Sequence, residues 1–579
     1  MVLASTVGVC LASVVLSFLA FIFFMAIIAS SGSSSTYSLR KNSILKIELS
    51  GTLNDRVVSD PLEGLFGEAT KQQSLGDIIS AIKKAKDNEN IKGIYLKGGP
   101  VFSAGTASRD AIRSALKEFK ESGKFVVAYS DNYSQSAYHV SSLADKVFLN
   151  PQGMLDLHGL AANPTFYTGL LEKLGVKMEV FKVGTFKSAV EPFMLDKMSD
   201  ANREQLTSYL GSLWKNISTE IATDRNCSVD SLNAFINKGV LFSDPENLIG
   251  MGLVDSLVYT TEVEKYFEET LGVEEVKMAL VSDMKSVPSK EKTYDDKIAV
   301  LFAEGEITSI STGMFRTGTV ISDEEYVKEL KKLRKNKDVK AVVFRINSPG
   351  GSGYMSEQIW KEVVELKKEK PVVVSMGDVA ASGGYYIACA ADWIIAQPTT
   401  ITGSIGVFGN FPNFEGLYGK IGLTTDVVKT NTFADFGDVS RAMRADEKAL
   451  LQGYVERFYD VFLTRCADGR GKTKAEIDSI GQGRVWTGEQ ALEIGLVDEL
   501  GDLSLAIEVA AEKAGLEHYS TSRYPQDKDF LTLLLEQSMG NVKMRLVKDL
   551  VDETEFKHVL LVNRIKQQDK IQARLPFDF

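Results

Sequence analysis

Cysteine and histidine are scarce, four of each in 579 residues. Cys10, Cys227, Cys389 and Cys466 are scattered without a C-x-x-C spacing, which argues against a disulfide framework and against a zinc site. An excess of basic residues is also missing. The formal net charge of -11 and an isoelectric point near 5.3 argue against nucleic acid as the main partner. A phosphate loop is absent: Gly469-Arg470-Gly471-Lys472-Thr473 has Cys466 where that motif needs glycine, so the stretch reads as a surface turn. No motif calls for a cofactor or a metal.

What is present is an ordinary globular composition, 44% hydrophobic and 25% charged. The chain is too long for one core, so two or more domains are expected. Residues 7–30 are almost wholly apolar and long enough to cross a bilayer as a helix. A cleavable signal peptide has a shorter apolar region and a basic front end, and this stretch has neither, so it reads as an uncleaved anchor. Arg40 and Lys41 follow it and weakly favour a cytoplasmic body. Residues 31–38 form a Ser-rich linker, and 1–38 make an anchor unit.

Beyond the anchor the chain repeats itself. Phe125-Val126-Val127-Ala128 resembles Val372-Val373-Val374-Ser375, and the same offset holds for Tyr138 and Tyr385, Asp145 and Asp392, Pro151 and Pro398, and Gly159 and Gly406. Ile91-Lys92-Gly93-Ile94 matches Val339-Lys340-Ala341-Val342, and Gly252-Leu253-Val254-Asp255 echoes Gly495-Leu496-Val497-Asp498. The boundaries are 39–284 for a first α/β copy, 285–296 for a charged linker containing Pro288, and 297–526 for a second copy. Residues 527–579 form a C-terminal tail that is charged and helical-looking up to the final Leu575-Pro576-Phe577-Asp578-Phe579. Strands alternate with helices in each copy, which predicts a mostly parallel sheet covered on its faces.

The second copy carries one stretch that invites chemistry, Gly377-Asp378-Val379-Ala380-Ala381-Ser382-Gly383-Gly384-Tyr385-Tyr386. It follows an apolar β-branched run and leads into a small-residue helix. Ser382 is therefore predicted at a strand-to-helix turn, where helix N-terminal N–H groups point at whatever its hydroxyl attacks. The plainer reading is a small-residue helix packed tightly on a sheet. A duplicated domain supplies its own control, because positions needed only for the fold should agree between copies. The counterpart of Ser382 is Gln135, and Ser136 and Ala137 replace Gly383 and Gly384. Asn347-Ser348-Pro349-Gly350-Gly351 corresponds to Gly99-Pro100-Val101-Phe102-Ser103, so the Gly-rich loop too belongs to the second copy alone. Such loops let backbone N–H groups approach a developing oxyanion.

The asymmetry reverses upstream. Lys187 of the first copy aligns with Ala434 of the second. A serine hydroxyl needs a base, no histidine lies near Ser382 in sequence, and a lysine serves only when neutral. Phe186, Ala189, Val190, Pro192 and Phe193 surround Lys187 in sequence and would desolvate it. Glu191 would oppose that effect if it pointed inward, while Thr185 or Ser188 could orient the amine. The ordinary alternative is a solvated surface lysine.

These stretches resemble the signal peptide peptidase A family, also called protease IV, in its long duplicated form. The most specific are residues 183–193, 345–351, 378–386 and 483–488. The resemblance implies a Ser–Lys dyad with Ser382 as nucleophile and Lys187 as general base. It implies two tandem domains of the Clp protease and crotonase type and a bowl-shaped homotetramer. It also implies peptide substrates, the signal peptide remnants left after secretion, and a bacterial inner-membrane protein with its body in the periplasm. The oxyanion hole would use the N–H of Gly383 and of Gly350 or Gly351. Two rival readings stand beside it. A crotonase-like acyl-CoA enzyme would need acidic residues at the active turn, where Asp378 is the candidate. A non-catalytic scaffold derived from a peptidase is the other.

Overall fold

Apolar runs such as Ala341–Phe344 and Val372–Val374 can hide both faces only inside a covered parallel sheet, and that is where they lie. The computed structural model describes residues 39–57, 72–288, 292–309, 319–526 and 571–574. The first copy is a seven-stranded parallel sheet whose central path is Gln72–Ser74, Ser43–Asn54, Ile91–Ser103, Phe125–Tyr133, Lys146–Leu155 and Ser256–Leu257. The second copy repeats it with Lys297–Glu304, Val339–Ser348 and Val372–Ala381 at its centre. Helices cover both sheets: Leu75–Asp87 and Thr106–Lys120 in the first copy match Asp323–Lys335 and Gly353–Lys367 in the second.

The repeat extends to individual hydrogen bonds. Tyr138 Oη donates to the Leu253 carbonyl at 2.7 Å, and Tyr385 Oη donates to the Leu496 carbonyl at 2.9 Å. Asp145 accepts from the Val126 N–H and Asp392 from the Val372 N–H, both at 2.8 Å. Asp255 and Asp498 accept from Val147 and Ile394 in the same way, at 2.7 and 2.8 Å. These shared residues tie helix and turn to the strand ends in the same way in both copies.

Two elements of the first copy cross into the second. Strand Lys177–Val183 pairs antiparallel with Val407–Asn413. Helix Asp200–Asp224 sets Leu206, Tyr209 and Leu213 against Val379, Ala381, Ile401 and Val485, while its Ile217 and Ile221 pack in the first copy's core. Polar groups tie the same seam. Arg345 makes a buried two-pronged bond to Asp55, both arms at 2.9 Å. Asp378 accepts from the Ser108 N–H and hydroxyl at 2.8 and 2.6 Å, near the start of helix Thr106–Lys120. A third sheet runs along the seam in the order Val320–Ile321, Glu306–Ile307, Gly350–Ser352, Ile571–Arg574, Val407–Asn413, Lys177–Val183.

Among the described residues no helix is long and apolar enough to cross a membrane. The anchor expected over 7–30 lies outside the described residues. So does most of the tail, except Ile571–Arg574, which is a strand.

Candidate active site

Ser382 sits between strand Val372–Ala381 and helix Gly383–Ala388, as the sequence predicts. Its backbone is unusual. A helix N-cap ordinarily has extended dihedrals, but Ser382 has φ 54° and ψ -115° and makes no side-chain cap. A non-glycine residue held there costs on the order of 1–3 kcal/mol. The conformation is fixed from both sides: the Ser382 N–H donates to the Gly403 carbonyl at 2.8 Å, and the Ser382 carbonyl accepts from the Tyr386 N–H at 2.8 Å. Gly384 explains the glycines that follow. A Cβ there would lie 2.8 Å from the Ser348 carbonyl, so only glycine lets the helix start approach the 347–351 loop this closely.

In the first copy Gln135 has a different task. Its side-chain oxygen accepts from the His158 and Gly159 N–H groups at 3.1 and 2.9 Å, and its amide donates back to the Gly159 carbonyl. That turn is clamped shut.

Lys187 arrives on the segment after strand Lys177–Val183, the one that joins the second copy's side of the seam. Gly184, at φ 107°, bends the chain over Gln482, whose carbonyl accepts from the Phe186 N–H at 2.9 Å. Two glycines clear a path for the lysine stem. A Cβ on Gly483 would stand 2.7 Å from Lys187 Cβ, and one on Gly406 would stand 3.2 Å from Lys187 Cδ. The amine reaches Ser382 Oγ at 2.9 Å, and donates to Ser404 Oγ at 3.0 Å and to the Ser404 carbonyl at 3.3 Å. Both Lys187 and Ser382 are fully buried.

Burial pushes Lys187 down to about 7, because removing water disfavours the ammonium form. Glu191 does not oppose this. Its carboxylate turns to Ser199 and Asn202, accepting from the Ser199 N–H and hydroxyl at 3.2 and 2.5 Å and from Asn202 Nδ2 at 3.0 Å. The expectation that Thr185 or Ser188 orients the amine gives way to Ser404. The Ser188 hydroxyl accepts from Gln205 Nε2 at 2.7 Å, and the Thr185 N–H donates to Gln482. Ser404 has φ 51° and sits in a Gly-Ser-Ile-Gly stretch directly after strand Ile401–Gly403. Its counterpart in the first copy is Leu157, so the same comparison of copies that exposes Ser382 carries its signal.

The glycines expected around an oxyanion fall on two elements. Gly383 is the first residue of its helix. Gly350 and Gly351 begin the short strand Gly350–Ser352, and the Gly350 N–H donates to Ser348 Oγ at 3.2 Å. Asp378 turns away to Ser108, so it presents no acid at the turn, and the acyl-CoA reading loses its candidate. His139 pairs with Glu220 and His158 with Asp156, both within the first copy.

A buried amine whose pKa is brought to about 7, within hydrogen-bonding distance of a serine hydroxyl at a turn opening a helix, can accept the hydroxyl proton, and the helix start can hold an oxyanion. The profile of peptidase family S49 matches residues 118–274 and 364–517, one stretch in each copy. Protease 4 of Salmonella typhi is 37% identical over 564 residues, which are 94% of this chain and 90% of that one. The chain belongs to peptidase family S49. It is a serine peptidase, in the long form with two family segments. The chloroplastic serine protease SPPA of Arabidopsis thaliana is 32% identical to this S49 chain over 485 residues, 83% of this chain and 70% of that one. A solved ClpP1 mutant from Listeria monocytogenes aligns over 36% of this S49 chain and 94% of its own, at 15% identity and a TM-score of 0.25.

Proposed function

We propose that this S49 peptidase is a membrane-anchored endopeptidase that degrades cleaved signal peptides through a Ser382–Lys187 dyad. The observation that carries the reading is the 2.9 Å approach of Lys187 to Ser382 with the lysine brought to about 7 by burial. Neutral Lys187 takes the hydroxyl proton as Ser382 Oγ bonds to a peptide carbonyl carbon. The oxyanion is held by the N–H of Gly383 together with that of Gly350 or Gly351. Lys187 then gives its proton to the leaving amine as the C–N bond breaks. Water attacks the resulting ester as Lys187 accepts its proton, and Lys187 passes that proton to Ser382 Oγ as the acyl C–O bond breaks, which frees the carboxylic acid product and restores the neutral amine. Ser404 holds the amine in line throughout.

The anchor is residues 7–30, and the body stands on the periplasmic side of a bacterial inner membrane. That placement follows the resemblance rather than the weak charge bias of Arg40 and Lys41. Assembly as a homotetramer follows the resemblance, and exposed apolar side chains, among them Leu170, Leu174, Ile421, Leu423, Val428 and Phe433, offer surface that an interface between copies would cover.

The test is hydrolysis of an apolar signal-peptide sequence by the purified chain beside Ser382→Ala and Lys187→Ala. Each variant should lose about 10⁴-fold or more in kcat, and the double variant should lose little beyond either. Full activity in either single variant removes the dyad.

A further inference from the structure

One strip of the second copy, residues 482–486, holds both the lysine segment and the Ser404 stretch. The Gln482 carbonyl accepts from the Phe186 N–H at 2.9 Å, and its side-chain oxygen accepts from the Thr185 N–H at 3.3 Å. The Gly483 N–H donates to the Ile405 carbonyl at 2.7 Å, and the Arg484 carbonyl accepts from the Ser404 N–H at 2.7 Å. Gln205, on the crossing helix, donates to the Phe186 carbonyl at 3.0 Å and accepts from the Val485 N–H at 3.3 Å.

In Arg484 the two attachments meet. Its carbonyl holds Ser404, which in turn accepts from the lysine amine. Its side chain reaches the residue beside the lysine. The guanidinium carbon lies 4.7 Å from the centre of the Phe186 ring and 4.5 Å from the centre of the Trp486 ring. Nη1 pairs with Glu204 of the crossing helix at 3.0 Å, while Nε is buried without an acceptor. Ring contacts and one ion pair therefore fix the group, a task that suits a flat, weakly hydrated cation. Trp486 is itself pinned. Its Nε1 donates to the Ile480 carbonyl at 3.0 Å, and a Cβ on Gly403 would stand 2.7 Å from its Cδ1. Phe186, Arg484 and Trp486 are all partly exposed, whereas Lys187, next in the chain to Phe186, is fully buried.

We propose that Arg484 is a positioning residue for the general base: through Phe186 its guanidinium seats the 184–187 segment and keeps water from the lysine stem. The proposal rests on the peptidase reading of Ser382 and Lys187 and adds to it what holds the lysine dry. The nearby acids are engaged elsewhere: Glu191 with Ser199 and Asn202, Glu204 with Arg484, and Asp478 with Tyr459 and Gln482. Burial is what lowers Lys187, so admitting water would return it toward its ordinary value of 10.5.

The test compares the detergent-purified full chain with Arg484→Ala, and with Arg484→Gln should the alanine variant fail to fold. For hydrolysis of a reporter peptide, the acid limb of kcat/KM should move up from about 7 by about one unit or more, a loss of about tenfold or more at pH 6. Loss of fold support alone would lower the whole profile and leave the limb in place. A second measurement needs no activity. Lys187→Met should raise the melting temperature at pH 6 in the parent, and by less than half as much in the Arg484 variant, where the lysine is already wet. A limb that stays near 7 in the folded variant overturns the proposal. So do equal melting increments in the two backgrounds. If Lys187→Ala keeps full activity, the peptidase reading fails, while the melting increments still decide whether Arg484 keeps the lysine dry.

Discussion

Lys187 is the residue whose chemistry is set most completely by its surroundings. Its ordinary value is 10.5 and burial brings it to about 7, so kcat/KM should rise with pH through about 7 and level off above. A pH profile measured from 5 to 9 checks this, and a limb near 10 would contradict it. Stability carries the same signature. Between about 7 and 10.5 the unfolded chain holds a proton that the folded chain lacks, so this residue's contribution makes the fold more stable as pH rises across that window. Below about 7 the full penalty of the buried charge is felt. Lys187→Met should therefore melt higher than the parent at pH 6, on the order of 4 kcal/mol more stable, with the gap closing as pH approaches 10.5. Ser404→Ala removes one of the two Ser404 acceptors holding the amine and should cut kcat by about 10–100-fold with KM nearly unchanged. The serine and the lysine were legible because each has a mismatched counterpart, Gln135 and Ala434. Ser404 opposite Leu157 had the same signature, yet a serine following a strand within a Gly-containing stretch has no chemistry of its own to draw attention. Its role comes from its position 3.0 Å from an amine over 200 residues away, which only the fold supplies.

Among the elements, the decisive ones are short and glycine-dependent. The segment over 184–187 and the turn over 481–484 pass so closely that a methyl group on Gly483 would meet Lys187 Cβ and backbone at 2.7–2.8 Å, on a backbone with φ 78°. Gly483→Ala should lower stability by about 2 kcal/mol, read by urea unfolding, and reduce kcat more than Ser404→Ala does. The alternating strands and helices of both copies could be read from hydrophobic patterning, since each buries a regular face. Strand Lys177–Val183 was hidden, because its partner lies more than two hundred residues on and in the other copy. The strand at Ile571–Arg574 was hidden more thoroughly. Ile-Gln-Ala-Arg has no β-branched run, and the charged residues before it suggested helix. Its pairing is dictated by two waiting edges rather than by its own propensity.

At the scale of the whole molecule, the copies are interlocked rather than strung together. One strand, one long helix and the Asp55–Arg345 pair all cross the seam. Asp55→Ala leaves a guanidinium buried without its carboxylate and should cost about 3–5 kcal/mol, seen as a lower urea midpoint. The parent should unfold in one transition, because no crossing element can be withdrawn from one copy without exposing apolar surface in the other. Two transitions by fluorescence and circular dichroism would contradict the interlocked seam.

The division of the proposed dyad between copies also orders events in time. Lys187 and Ser382 stand 195 positions apart in the chain. At 5–20 residues per second, a ribosome completes the base about 10–40 s before it reaches the nucleophile. During that interval the nascent chain holds a folded or folding first copy with no serine to activate. The hydroxyl that appears later stays inert until its strand, its helix and the crossing segment have all docked. Activity that depends on both residues would therefore begin only once the second copy has docked, after synthesis has passed Ser382.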